Sequence, residues 1–414
     1  MGKHALTSGR NIRRPTTLTL LFLVGSLMTL AALATDVMLP AFPAMAIELG
    51  VSDAAIQRVL SVFMLGYALP HLIIGSAADR FGRRPILLAG LLVYTIGSIL
   101  GVLAPDFGTL LAARFVQGLG AAAGPILARA VLRDLYSGRQ LGRMLSFAMI
   151  FFTAAPLLAP SIGALLLQVG DYRLQFWFLV AAALVMLVLV LRLLPETLRN
   201  PDRNALDLRG ILANARLIVL SPESRWPLIV LGLTYGVLMA YLGSAPELFI
   251  NRLGLTEAQF GLQFAVIAAM QFVSQPVNAR LLNYFAPATI LRYSLPAFVL
   301  VGIILTMQAA LGVAGLWTLT VSFMLMFACF SLTVANGTTL VLEPHSERAG
   351  MASGLAGFCQ LLTGTILGAV VSAFAPSGPL AIGIGVLVLS GLAWLAFLAS
   401  GLGGEPAPRD RPAT

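Results

Sequence analysis

The stretch Gly75-Ser76-Ala77-Ala78-Asp79-Arg80-Phe81-Gly82-Arg83-Arg84-Pro85 sets one acid and three arginines between two long apolar runs. Gly82 permits a tight reversal of the chain. Pro85 can begin a helix, where its missing N–H is harmless, and Asp79 offers an anion that can face a helix N-terminus. The string therefore reads as a charged turn between two apolar helices. A helix of roughly 20 mainly apolar residues crosses a bilayer, so this turn marks a point where the chain leaves the membrane and re-enters it.

Outward from the turn, the same alternation repeats along the chain. Apolar runs lie near 17–39, 55–77, 86–104, 108–131, 144–168, 174–194, 226–246, 259–282, 290–311, 316–341, 350–373 and 379–400, which predicts an all-α membrane protein with about twelve transmembrane helices. Of the 414 residues, 58% are hydrophobic and 10% charged, against about 25% charged in an ordinary soluble domain. A soluble fold of this length has no means of hiding so much apolar surface, and the mean hydropathy of +0.92 agrees. A net charge of +9 and a pI near 10.2 suit nucleic-acid binding in a soluble protein. Here the arginines stand in short blocks between apolar runs, so lipid is the expected partner and nucleic acid is not. Cys329 and Cys359 lie inside apolar runs without metal or redox spacing and read as packing residues.

Loop arginines orient multispan proteins. With the N-terminus inside, Arg58, Arg173 and Arg252 fall at the outer loops and Arg114 within a span; the other 22 of the 26 Lys and Arg lie on the inner side. Both termini are then cytoplasmic. Arg10, Arg13 and Arg14 before an apolar run and Ala32-Leu33-Ala34 imitate a secretory signal, but the run exceeds the roughly 7–15 residues of a signal core and is expected to stay as span one. The longest break divides the chain into a cytoplasmic N-terminus (1–16), a six-helix bundle (17–194), a cytoplasmic linker (195–225), a second six-helix bundle (226–400) and a cytoplasmic tail (401–414). Within the linker, Leu208, Ile211, Leu212, Ala215 and Val219 recur at helical spacing, which fits either an interfacial helix or a solvated connection.

Further strings fall at fixed places on this frame. Span four carries Arg114-Phe115-Val116-Gln117-Gly118, and span five carries Ala155-Pro156-Leu157-Leu158-Ala159-Pro160-Ser161-Ile162-Gly163. Small residues there allow close helix packing, and Pro156 and Pro160 favour a kink. Thr35-Asp36-Val37-Met38-Leu39-Pro40 ends span one, Arg133-Asp134-Leu135-Tyr136 follows span four, and Ser244-Ala245-Pro246 ends span seven. Together with the Gly75–Pro85 turn these resemble the major facilitator superfamily, and within it the bicyclomycin- and chloramphenicol-resistance (Bcr/CflA) branch of twelve-span drug:proton antiporters. Ala159 replaces the first glycine of that family's antiporter motif, whose other matching positions here are Pro160 and Gly163. The second-half counterpart of the basic turn, Asn278-Ala279-Arg280-Leu281-Leu282-Asn283-Tyr284-Phe285, has lost the glycine and most arginines. The resemblance implies the major facilitator fold and a cytoplasmic gate built on Gly75, Asp79, Arg80, Gly82, Arg83, Arg84 and Asp134. In that gate Asp79 would lie near Gly350 to Ser353 and Arg83 would pair with Asp134.

Ionisable groups inside a span are costly and mark function by default. Asp36 and Arg114 are the two that the run boundaries place clearly inside, both within one to two turns of the outer end, so they are expected to pair. In that reading Asp36 binds and releases a proton and Arg114 senses its charge; a purely structural pair is the alternative. In span two, Tyr67, His71 and Gly75 follow at i+4. His71 stands where related members often carry glutamine. It serves either as a second proton carrier or as a hydrogen-bonding cavity side chain. Tyr67, Gln117, Tyr235, Tyr241, Asn336 and Gln360 are the expected polar lining of a substrate cavity among adaptable Phe and Met.

The resulting expectation is a secondary transporter, not an enzyme. It would use the proton gradient and no cofactor or metal, and would act as a monomer in the bacterial inner membrane to export small amphipathic drugs. A proton-coupled carrier of one metabolite, such as a small peptide, an amino-acid derivative or a sugar, is the rival within transport. A receptor or membrane enzyme lacks support, since no appended soluble domain, His-Glu metal spacing or Ser/His/Asp set is present.

Overall fold

The apolar runs become helices with ends close to those the sequence predicts. The computed structural model describes residues 16–198, 200–202, 205–374 and 378–402, so most of the expected tails, 1–16 and 401–414, lies outside the described residues. Within them, eleven helices are long and apolar enough to cross a bilayer, and a bent pair supplies a twelfth. In order these are Thr17–Asp36, the bent pair from Asp53 to Phe81, Arg83–Val102, Phe107–Leu135, Gly138–Leu167, Arg173–Leu193, Pro222–Pro246, Glu257–Leu281, Pro287–Ala310, Leu316–Leu342, Ala349–Ala373 and Pro379–Ala399. No strand occurs among the described residues.

Helix starts carry the side chains that satisfy free N–H groups. Asp106 Oδ1 accepts from Thr109 N at 2.9 Å before span four. Before span eight, Thr256 and Gln259 form a reciprocal capping box. Some spans show a lipid-facing wall directly: Leu92, Ile96 and Leu100 of span three are exposed a turn apart, while Leu87, Leu91 and Tyr94 are buried.

The spans form two six-helix bundles. In the first, span one packs on five, two on four, and three on four and six; in the second, seven packs on eleven and twelve, and nine on ten and twelve. The bundles meet along two seams, span two on span eleven and span five on span eight. The linker holds a helix, Leu208–Leu220, capped by Asp207, whose Oδ1 and Oδ2 accept from Arg209 N and Gly210 N. Its Ile218 is buried against Ala352 and Leu355 of span eleven, while Leu212, Leu217 and Leu220 stay exposed. An amphipathic helix docked on the second bundle therefore replaces the alternative of a solvated connection.

Two local departures from the sequence reading have identifiable causes. Span two breaks between Asp53–Leu72 and Ile74–Phe81, with a bend of 48°. Pro70 supplies no N–H and crowds the preceding turn, and Leu69–Leu72 tightens into a 3₁₀ turn. Tyr67, His71 and Gly75 therefore do not line one continuous helical face, because the break falls between His71 and Gly75. Span five, by contrast, runs as one helix through Pro156 and Pro160.

Candidate functional site

At the arginine-rich end, the turn after span two is tied in three directions. Gly82 adopts φ +102°, a region that disfavours any side chain. Arg83 Nη1 lies 2.6 Å from Asp79 Oδ1, and Arg83 Nε donates to Asp134 Oδ2 at 3.0 Å, the pairing expected of the gate. Thr197 Oγ1 also donates to Asp134 Oδ2, at 2.9 Å. Arg84 Nη2 donates to the Leu191 carbonyl at 2.7 Å, and Arg80 sits over the Phe81 ring.

The anion at the start of span three is Glu196. Glu196, from the linker, accepts from Arg83 N at 3.0 Å and Arg84 N at 3.1 Å, and so satisfies the free donors there. This carboxylate lies 113 residues away in sequence. Asp79 is 47% exposed and held by Arg83. It forms no bond to Met351, Ala352 or Ser353 among the described residues, and the side chains of 346–350 lie outside them. Carboxylates at helix N-termini contribute about 1 kcal/mol. Glu196→Gln is thus expected to lower unfolding stability in detergent by roughly that amount, with chemical denaturation as the measurement; an unchanged midpoint would show that Glu196 does not stabilise the start of span three.

Deep in the first bundle, Asp36 and Arg114 are both buried, at 4% and 1% exposure. They do not pair. Thr35 Oγ1 donates to Asp36 Oδ1 at 2.9 Å. Arg114 Nη1 donates to the Ala34 carbonyl at 3.0 Å and to Gln117 Oε1 at 2.5 Å, and Nε donates to the Val59 carbonyl at 3.3 Å. The reason is local: Ala34 belongs to the last turn of span one, whose carbonyls lack intrahelical donors and attract a cation. The guanidinium also lies 4.3 Å from the centre of the Phe63 ring. Gln117 passes the network on to Ser98 Oγ at 2.8 Å, so one arginine joins spans one, two and four, and through Gln117 span three.

Asp36 is the one acid buried among the described residues. The turn that follows it, Leu39–Ala41, packs on spans seven and eight of the other bundle. The Tyr241 hydroxyl, both amide atoms of Gln57 and Ser244 Oγ are buried there without a hydrogen-bond partner. Unpaired polar groups in an apolar interior are costly, and these four atoms stand near the junction of the bundles.

His71 lies in the Pro70 hinge, 9% exposed, with Nδ1 2.8 Å from the Tyr67 carbonyl and its ring edge-on to Tyr67 at 4.9 Å. Its ring and carbonyl rest against Gly357 and Gly354 of span eleven, which places it on the seam between the bundles. Tyr67, Tyr235 and Gln360 are partly accessible, as a lining residue must be. Gln117 and Asn336 are not: Gln117 belongs to the arginine network, and Asn336 Nδ2 donates to Asn278 Oδ1 at 2.7 Å between spans eight and ten. Tyr241 is likewise enclosed, by Phe264, Phe323 and Phe327.

At the opposite end from the arginines the bundles are in contact. Ala159 and Pro160 are buried, and Gly261 of span eight rests on the Pro160–Ser161 backbone. Gly163 sits directly on the Val37 carbonyl, one residue beyond Asp36, leaving no room for a Cβ. Gln57 and Gly243 face a remaining gap of only about 10 Å³. Among the described residues no group of His, Cys, Asp and Glu is arranged to hold a metal.

The family model of the Major Facilitator Superfamily matches residues 24–369. The chain belongs to the major facilitator superfamily. As a member it is a multi-pass membrane transporter and not an enzyme. Similar proteins include an uncharacterized MFS-type transporter of Bacillus subtilis, 29% identical, with 86% of this chain and 88% of that protein aligned. The "Bicyclomycin resistance protein homolog" of Haemophilus influenzae is 28% identical over 91% of this chain and 95% of that protein. "Multidrug resistance protein D" of Escherichia coli is 27% identical over 92% and 95%. Among solved structures, a bacterial homologue of the human lysosomal transporter Spinster superposes with a TM-score of 0.72 at 14% identity, covering 95% of this chain and 98% of that one. The xylose transporter of Escherichia coli gives 0.71 at 15%, covering 96% and 99%. At such identities the structural likeness speaks for the superfamily fold alone.

Proposed function

We propose that this protein is a proton-coupled exporter of small amphipathic drugs in the bacterial inner membrane, with both termini in the cytoplasm. The observation that carries the reading is Asp36: one buried carboxylate in the first bundle, just before a turn, Leu39–Ala41, that packs on spans seven and eight of the second. A proton shifts a two-state equilibrium only through its differential affinity for the two states. A carboxylate at the junction of two moving bundles gains that difference, because its surroundings change when they rock. The names of the Haemophilus and Escherichia relatives support drugs as the cargo, and the distribution of arginines supports the orientation. Tyr67, Tyr235 and Gln360, with neighbouring Phe and Met, supply the adaptable aromatic surface that varied cargo requires.

The test is expression in an efflux-deficient bacterium challenged with chloramphenicols, bicyclomycin and other antibiotics, together with drug-dependent proton movement in inverted vesicles. The expected outcome is resistance to at least one compound, with proton flux that depends on the same compound. Resistance to none, and proton movement with none, would replace this reading by a carrier of one metabolite.

A further inference from the structure

We infer that the side-chain amide of Gln57 opposes closure of the end of the transporter away from the arginine-rich turns, and so sets how readily that end opens during transport. The inference needs only a transporter that alternates between two facings, and it goes beyond the choice of cargo. Gln57 stands at the start of span two, between the short turn Asp53–Ile56 and the helix Arg58–Ala68, and is 5% exposed. Its backbone is paired, since its carbonyl accepts from Leu60 N at 3.1 Å and Ser61 N at 3.3 Å. Its side chain is not: neither Nε2 nor Oε1 has a hydrogen-bond partner.

Contacts from both bundles fix the place of the amide. Oε1 lies 3.7 Å from where a Cβ would stand on Gly243 of span seven. Around it, Phe42 and Ile56 of the first bundle face Gly243 and Pro246 of the second. Leu39–Ala41 packs on span seven, and Asp53–Ile56 packs on span eleven. The gap left between them, about 10 Å³, is at the lower limit for a single water. The other buried amides differ. Gln117, Gln175, Gln263, Asn278 and Asn336 each hold a partner within their own bundle. Among the buried amides of the described residues, Gln57 is the one without a partner, and it faces the opposite bundle.

A polar group that is buried unpaired gives up its water and gains nothing in return. Closing this end therefore costs free energy at Gln57, and parting the bundles returns it as water reaches the amide. Apolar packing of Phe42, Ile56 and Pro246 favours closure. The amide offsets part of that gain and keeps the two facings near enough in free energy to interchange. Gln57 is in this sense a positioning residue: it acts through the equilibrium between facings.

The experiment uses Ile56→Cys, a position 2% exposed beside the amide, in purified full-length protein in detergent. A dilute thiol reagent then reacts at a rate set by how often this end opens. The same protein without Ile56→Cys gives the background from Cys329 and Cys359. Adding Gln57→Met, an unbranched apolar side chain of similar length, is expected to slow labelling about tenfold and to raise the unfolding midpoint. Turnover in vesicles should fall although the protein is more stable. Adding Gln57→Glu, whose carboxylate is costlier to bury, should speed labelling. A residue that merely supports the fold would give the reverse in Gln57→Met, a lower midpoint and faster labelling. Labelling unchanged or faster in Gln57→Met, a lower midpoint, or failure of that variant to fold would each overturn the inference, because it requires a gain in stability. Gln57→Glu labelling no faster than the wild type would overturn it as well. Neither labelling nor unfolding involves a drug, so either result leaves the exporter reading to the efflux test.

Discussion

Asp36→Asn is expected to abolish uphill, proton-driven export while leaving a folded protein that still binds cargo. Asparagine keeps the shape and keeps an oxygen to accept from Thr35 Oγ1, which lies 2.9 Å from the present carboxylate. The substitution breaks no ion pair, because Arg114 is held by the Ala34 and Val59 carbonyls and by Gln117. Stability should therefore change by less than about 1 kcal/mol, the ordinary worth of one neutral hydrogen bond. Coupling should not survive, since the amide binds no proton in either state and the proton then has no differential affinity to contribute. Drug-induced proton release from purified Asp36→Asn protein, read beside its unfolding curve and its drug binding, is the deciding measurement. A folded mutant that still releases a proton on binding drug would shift the role to His71, which sits in the hinge of span two against span eleven.

The absence of an Asp36–Arg114 pair also shows where sequence reading ends. Span existence and order were legible because each bilayer crossing demands its own apolar run, and the Gly75–Pro85 turn was legible because glycine, proline and charge there act locally. Matching depth along two spans placed Asp36 and Arg114 near one another. Depth does not choose between a carboxylate and the free carbonyls of the same helix end, and the carbonyls took the arginine. Gln117 and Asn336 were legible as polar groups within spans, but their direction depends on the rotation of each helix against its neighbours. Glu196 reaches span three from just beyond span six, its neighbour in the bundle but 113 residues away in sequence, a pairing no local pattern contains. Pro70 was visible, yet the break it produces became evident only with the 48° bend beside His71.

Arg114→Leu should destabilise the first bundle by about 3 kcal/mol, as the Ala34 carbonyl and the Gln117 amide oxygen lose their donor at roughly 1–3 kcal/mol each and the Val59 carbonyl loses a second one, offset in part by removing a charge from the interior. The position is 1% exposed, so water has little access to replace those donors. Because Ala34, Val59 and Gln117 belong to three different spans, the loss should loosen spans one, two and four together and lower the unfolding midpoint in detergent. Arg114→Lys tests the geometry separately. A lysine keeps the charge but concentrates it at one atom, and it lacks the planar fork that reaches three acceptors and sits over the Phe63 ring. It should cost about 1–2 kcal/mol and slow transport in inverted vesicles, because span one, which carries Asp36, is no longer held at its end. Wild-type stability in Arg114→Leu would show that the guanidinium does not join the bundle, and wild-type transport in Arg114→Lys would show that its fork is not what positions Asp36.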